Sequence, residues 1–306
     1  MCVAVALPVR KETMRSTVST IVLAAVLPVV LAAPADAGYA VARGMTPVLN
    51  TPAIASIFGG RNHSRLKTDA CGQVRELEFI ALPGTPFRII ASRTVDGATV
   101  HQVESGDYPA PPGVRLYLDD RFVERRDTPP SLRLRALPAR EQLVSRLRDA
   151  LGAPYVWGGN ALQGVPELLD YFYRPGMGAG EGRLTLAGLD CSGLLYHASD
   201  GWTPRNTSQL VGFGRAVPVA GKRPEEIALL LEPLDLIVWK GHVIIVLDRA
   251  TAIESRLECD RPGSGGVLAT PLLTRLREVA SSRRPVDIWP AAGNGKGIFV
   301  VRRWYP

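Results

Sequence analysis

The sequence predicts an α+β chain in which a small β-barrel precedes a domain made of a cysteine-bearing helix packed on an antiparallel sheet. Three observations carry that expectation. Short strand-like runs separated by turns crowd residues 68–126. A single amphipathic stripe follows, with Leu143, Leu147, Ala150 and Leu151 at helical spacing. A continuously apolar β run at 243–247 then marks a strand buried on both faces.

Composition sets the outer bounds. The chain has 306 residues, 46% apolar and 21% charged, which excludes a largely disordered protein. A chain of this length buries about three quarters of its unfolded surface, so it needs no disulfide or metal scaffold to be stable. Its 30 Gly and 25 Pro favour strands and loops over a helical bundle. The four cysteines include no CxxC pair, and neither a metal nor a cofactor is expected.

The N-terminus reads as an export signal. Arg10, Lys11 and Arg15 precede an apolar run at 18–33 broken by Pro28, and Pro34-Ala35-Asp36-Ala37 supplies a small-x-small cleavage pattern. The run is short for a spanning helix, so residues 1–37 are expected to be removed, leaving no stable membrane anchor and an exported protein of the periplasm, cell wall or extracellular space. Removal takes away three basic and two acidic residues, so the net charge falls from +7 to +6. That balance suits an anionic surface such as a wall polymer or lipid headgroups. Nucleic acid is not an expected partner, because no basic-aromatic module is present.

Residues 38–67 lack a persistent period and are expected as an irregular arm. The barrel region, 68–126, shows runs at 74–77, 79–82, 87–90, 99–103 and 114–118. This arrangement resembles a bacterial SH3-like domain. Residues 127–139, with Pro129, Pro130 and Pro138, read as a linker to the domain at 140–306. Arg140, Arg146 and Arg148 read as the solvated face of the first helix, which Gly152 and Pro154 end.

Asp190-Cys191-Ser192-Gly193 reads as a loop entering a helix, with Asp190 as N-cap. In the first turn Cys191 would meet unpaired N–H groups that stabilise a thiolate and could donate to an oxyanion. A buried core cysteine fits the position equally well. A thiol nucleophile needs a base. His197 lies six residues on, which points it away from the sulfur on a helix, whereas His242 begins the apolar β run. Glu254 stands twelve residues beyond His242 on the expected next antiparallel strand, where a hairpin can return it to the imidazole. From spacing alone it reads equally well as an edge-strand charge.

These residues, in this order, resemble the NlpC-type bacterial cell-wall peptidases, a papain-like cysteine peptidase family. The likeness spans about residues 140–256: Gly152-Ala153-Pro154-Tyr155-Val156-Trp157-Gly158-Gly159, then Asp190-Cys191-Ser192-Gly193, then Pro204-Arg205-Asn206-Thr207-Ser208, then the segment at 231–237 followed by Gly241-His242-Val243. The resemblance implies Cys191 as nucleophile, His242 as base and Glu254 as the third, orienting residue. It implies that Tyr155 lines the substrate pocket and that Asp190 and Ser192 bind the amino end of a stem peptide. The implied reaction is hydrolysis of the amide between the D-glutamate side-chain carboxyl and a diamino acid in peptidoglycan or muropeptides, without a metal. Three features depart from the family. Glu254 stands where His is commonest, Leu234 replaces a turn glycine, and the connection at 160–188 is long enough to form a lid, a pocket wall or a plain surface insertion. Rival readings are a papain-like acyltransferase or amidase on a lipid or other amide, and a non-catalytic wall-binding protein. Cys71 and Cys259 either pair in an oxidising compartment, joining the two parts of the chain, or remain free.

Overall fold

Two antiparallel sheets carry the molecule, described in a computed structural model for residues 38–177, 182–291 and 295–306. The expected leader at 1–37 lies outside the described residues. The first sheet comprises β1 (Gly38–Ala42), β2 (Thr46–Leu49), β3 (Leu77–Ala81), β4 (Pro86–Val95), β5 (Ala98–Glu104), β6 (Leu116–Asp119) and β7 (Val123–Arg126). Their order is β3-β2-β6-β5-β4-β1-β7. Period-two alternation sorts the side chains: Phe87 and Ile89 are buried with Phe79, Val103 and Leu118 on one face, while Arg88 between them is exposed.

Residues 38–67, expected as an irregular arm, instead supply β1, β2 and a short helix α1 (Ile54–Ile57). The two strands are short, and Pro47 sits inside the second, which hid them from pattern reading. Pro47 is tolerated because β2 pairs with β3 along its length but meets β6 only at Leu49, so the missing N–H interrupts no ladder. Of the expected strand at 74–77 only Leu77 is in a strand, as the first residue of β3; the chain before it turns, with Asp69 accepting from the backbone N–H of Gln73 at 2.8 Å and pairing with Arg75 at 2.5 Å.

The second sheet follows helix α2 (Arg140–Asp149), a small ribbon of β8 (Asn160–Ala161) and β9 (Gly188–Leu189), and helices α3 (Glu167–Phe172), α4 (Cys191–Ala198) and α5 (Thr207–Leu210). Its members are β10 (Arg215–Ala216), β11 (Leu236–Trp239), β12 (His242–Val246), β13 (Thr251–Leu257), β14 (Gly265–Pro271), β15 (Arg284–Pro285) and β16 (Ile298–Arg303), interrupted by α6 (Pro224–Leu230) and α7 (Leu272–Ala280). The order is β10-β16-β11-β12-β13-β14, all antiparallel, with the two-residue β15 added parallel to β16. Val243 and Ile245 pack with Leu194 and Leu195 of α4 and Leu143 and Leu147 of α2. Ile244 and Val246 pack with Ile227 of α6 and Leu276 of α7 on the opposite face. An apolar run buried on both sides is what such a sandwich requires.

The described part of the 160–188 connection is not a lid. Val165, Leu168, Phe172, Leu184 and Leu186 pack against Leu49, Leu77, Ile80 and Val100, covering the second face of the first sheet. Burying such side chains stabilises by about 1.5–3 kcal/mol each. Part of its glycine-rich centre lies outside the described residues. The linker at 127–139 has no regular structure but is tethered at both sides. Arg135 pairs with Asp107 and donates to the Gly201 carbonyl at 2.9 Å, while Arg133 donates to the Asp200 carbonyl at 2.9 Å. Leu234 adopts φ +75 although it is not glycine. Its burial at 1% exposure, and bonds from its N–H to Val246 and from the Trp304 indole to its carbonyl, hold it there. Among the described residues no helix is long and apolar enough to cross a membrane.

Cys71 and Cys259 form a disulfide, with Cα atoms 4.9 Å apart and a sequence separation of 188. The protein lacking residues 1–37 should therefore titrate one free thiol, Cys191, when unfolded without reductant. Closing so long a loop stabilises by about 2–4 kcal/mol. Reduction, or replacement of both cysteines by alanine, should lower the urea midpoint accordingly; three free thiols in the unreduced chain would refute the bond.

Candidate active site

Cys191 opens α4, and Asp190 caps the helix by accepting from the Gly193 N–H at 2.6 Å. The glycine at 193 is a steric requirement, since a Cβ there would lie 1.9 Å from the Gly159 carbonyl oxygen. The sulfur lies 3.9 Å from the Gly241 carbonyl oxygen, in the turn between β11 and β12. That turn is tied down where the Gly241 N–H donates to Thr207 Oγ1 at 2.9 Å.

His242 is the first residue of β12, and its Nε2 lies 2.6 Å from Glu254 Oε2. The register Ile245↔Ile253 makes this a diagonal cross-strand contact, within reach of two long side chains. With Nε2 engaged, Nδ1 is the ring nitrogen left to address the sulfur. Burial of the imidazole disfavours its charge, but hydrogen bonds to Cys191 and to Glu254 outweigh this and raise His242 to about 9. Burial would raise Glu254, yet His242 and Arg275 more than offset it and hold the carboxyl below its ordinary value. The structure thus brings Cys191, His242 and Glu254 together. His63 and His101 are engaged elsewhere, with the Phe172 carbonyl and with Ser92 and Asp120.

A cavity of ≈ 140 Å³ opens beside the sulfur, lined by Tyr155, Asp190, Cys191, Ser192, Arg205 and Gly241 among others. Tyr155 is 8% exposed, and burial, then Asp190 and Cys191, push its phenol up, so it stays a neutral donor. Asp190 and Ser192 line the wall but are not open acceptors. The fully buried Arg205 donates to Asp190 Oδ1 at 3.0 Å and Oδ2 at 2.7 Å, and to Ser192 Oγ at 3.0 Å. The Asp190 charge is already compensated.

Sequence reading missed the first sheet's contribution to this wall. Leu77, Glu78 and Tyr108 complete the cavity. Glu78 accepts from Tyr108 at 2.7 Å and from Asn50 at 2.8 Å, both neutral donors, leaving a carboxylate whose charge those bonds do not cancel. Asn160 is a second omission. Its side chain makes both hydrogen bonds to the backbone of Ile80 in β3, and Oδ1 also accepts from Arg205 at 3.1 Å. It links the first sheet to the helix cap through Arg205. Alternation gave no signal for Glu78, because a register shift opposite Val48 and Leu49 sends Leu77 and Phe79 into the cores on opposite faces of the sheet. Among the described residues no cluster of three His, Cys, Asp or Glu side chains is arranged to hold a metal.

Fold and site together define an α+β protein with a Cys–His–Glu cluster at a helix N-terminus beside an antiparallel sheet. No family model matches the chain. Among curated proteins it is similar to the peptidoglycan endopeptidase RipB of Mycobacterium tuberculosis, 36% identical over 91 residues, which is 29% of this chain and 33% of that protein. The chain thus matches only about a third of the length of that relative. Solved structures similar to it include an NlpC/P60 family protein from Bacillus cereus, at 17% identity and TM-score 0.32, covering 88% of this chain and 64% of that one. Another is RipD of Mycobacterium tuberculosis, described as a non-catalytic NlpC/p60 domain protein adapted to peptidoglycan binding, at 20% identity and TM-score 0.30, covering 53% of this chain and 95% of that one. Both solved structures are described as NlpC/P60 proteins.

Proposed function

We propose that the chain is an exported NlpC-type cysteine peptidase that hydrolyses the amide between D-glutamate and a diamino acid in peptidoglycan stem peptides. In this reading residues 140–306 form its papain-like domain, the first sheet serves as its SH3-like partner, and the protein works in the periplasm, cell wall or extracellular space. The observation that carries the reading is the alignment of Cys191, His242 and Glu254, with the sulfur at a helix N-terminus and in the wall of a cavity. His242 and Cys191 form an imidazolium–thiolate pair, and the thiolate attacks the carbonyl carbon. A C–S bond forms as the carbonyl π pair moves to oxygen, where α4 amides and the Tyr155 hydroxyl donate to it. Collapse breaks the C–N bond while His242 gives its proton to the leaving amine. Water, deprotonated by His242, then releases the acid and restores the thiolate.

Glu78 adds a substrate preference. An uncancelled carboxylate in the cavity wall suits the ammonium of a stem peptide with a free amino end, the role first expected of Asp190 and Ser192. The test is digestion of purified muropeptides with product masses read, followed by competition between a free tripeptide and the same peptide acylated at its amino end. The free amine should be preferred by roughly 10- to 100-fold in kcat/KM, the worth of a charged hydrogen bond, and Glu78→Gln should bring the ratio towards one. Equal specificity constants in the parent protein would remove the preference. Absence of any cleaved amide would favour the wall-binding reading, and transfer to an added amine would favour the acyltransferase.

A further inference from the structure

Glu254 is 1% exposed and carries a full negative charge beside an imidazole. A buried carboxylate needs more than one partner to satisfy both oxygens. The second partner comes from α7, on the sheet face opposite α4. Arg275 Nε lies 2.6 Å from Glu254 Oε1 and Nη2 lies 3.0 Å from Oε2, while Nη1 donates to Glu278 at 2.9 Å. Oε2 is thereby shared between Arg275 and His242, and Oε1 belongs to Arg275 alone.

We propose that Arg275 is a positioning residue for the reaction: its planar fork fixes the Glu254 carboxylate so that Oε2 meets His242 Nε2 and Nδ1 faces the sulfur. The inference rests on the peptidase reading above. Arg275 also balances charge. A lone buried glutamate would hold the imidazolium proton too firmly for delivery to a leaving amine, and the guanidinium cancels part of that field. This accounts for a carboxylate at a position where the resemblance leads one to expect His. The ionisable groups facing the pair are Cys191 from α4, His242 from β12, and Arg275 and Glu278 from α7, while Leu268 of β14 stands opposite Glu254. The signal was present in the sequence, since Arg275 falls on the apolar stripe formed by Leu272, Leu276 and Val279, a place where an unpaired cation is not tolerated.

The experiment compares Arg275→Met and Arg275→Lys in the full chain. It reads kcat and KM on a stem peptide and the pH dependence of Cys191 alkylation by iodoacetamide. Arg275 is not among the cavity-lining residues, so Met should lower kcat about 10- to 100-fold, the equivalent of one lost charged hydrogen bond, with KM unchanged within about threefold. Removing a cation raises the proton affinity of every neighbour, so both limbs of the alkylation profile should move to higher pH. Lys restores the charge without the fork and should return the profile while recovering only part of kcat. If the Met variant does not fold, Arg275→Gln is read by the same profile. A neutral variant with the parent's alkylation profile overturns the proposal, as does equal damage in the Met and Lys variants with no shift. Alkylation needs no substrate, so a shifted profile in a chain that cleaves no stem peptide would sustain the role of Arg275 and refute the peptidase reading.

Discussion

A Cys191→Ala chain is expected to fold, bind stem peptide and release no product. The substitution removes one sulfur at the edge of the core, where Cys191 is 7% exposed, so stability should change by less than about 1.5 kcal/mol. Turnover should fall on the order of 10⁴- to 10⁶-fold, as it does when a covalent nucleophile is deleted. Retained turnover would end the covalent mechanism. The parent's pH profile adds an independent mark. His242 is raised from 6.5 to about 9, so the protonated form that serves the leaving amine is lost as pH rises through about 9, and kcat should decline there. The same shift stabilises the fold. That contribution is complete below about 6.5 and disappears as pH rises through about 9, so the urea midpoint should fall over that window. Glu254 acts in the opposite sense: its lowered value gives stability present above its ordinary range near 4.5, lost as pH falls through the folded value.

The second large effect is on stability. Arg205 is 1% exposed and pairs with Asp190, which also caps α4. Arg205→Met should destabilise by about 3–5 kcal/mol, because Asp190 is left buried without its cation. Adding Asp190→Asn to that variant should recover most of the loss, since Asn caps a helix about as well as Asp and carries no charge. Urea unfolding at constant m-value measures both variants. An Arg205→Met chain within about 1 kcal/mol of the parent would show that the pair contributes little and that the cap alone holds the helix. Either result bears on the site, because the residue that follows the cap is Cys191.

The helix entry at Cys191 was legible because its causes are local. Asp190 caps through a residue three positions on, and Gly193 is required by one close approach. The buried strand at His242 was legible because burial on both faces leaves a continuous apolar run, and α2 announced itself by one stripe. The strands at 38–49 were not legible: two short runs, one holding Pro47, stabilise no strand until β3, β4 and β7 lie beside them. The connection at 160–188 misled for a related reason. Its apolar residues signal burial, but only the folded chain shows that they cover the first sheet instead of closing the cavity.

By itself the sequence determined which residue types lie within a few positions of each other on one helix or strand, and so it determined the nucleophile candidate, its cap and the strand bearing its base. Tertiary structure alone decided which distant charges meet. It set Arg205 on Asp190 and Ser192, Arg275 on Glu254, and Glu78 in the cavity wall, across separations of 15, 13, 21 and more than 100 residues. Helix capping and strand alternation act over a turn or two of chain and leave a local pattern. Charge pairing and burial depend on distance in space, and two sequences with the same local pattern can fold to place those charges on different partners.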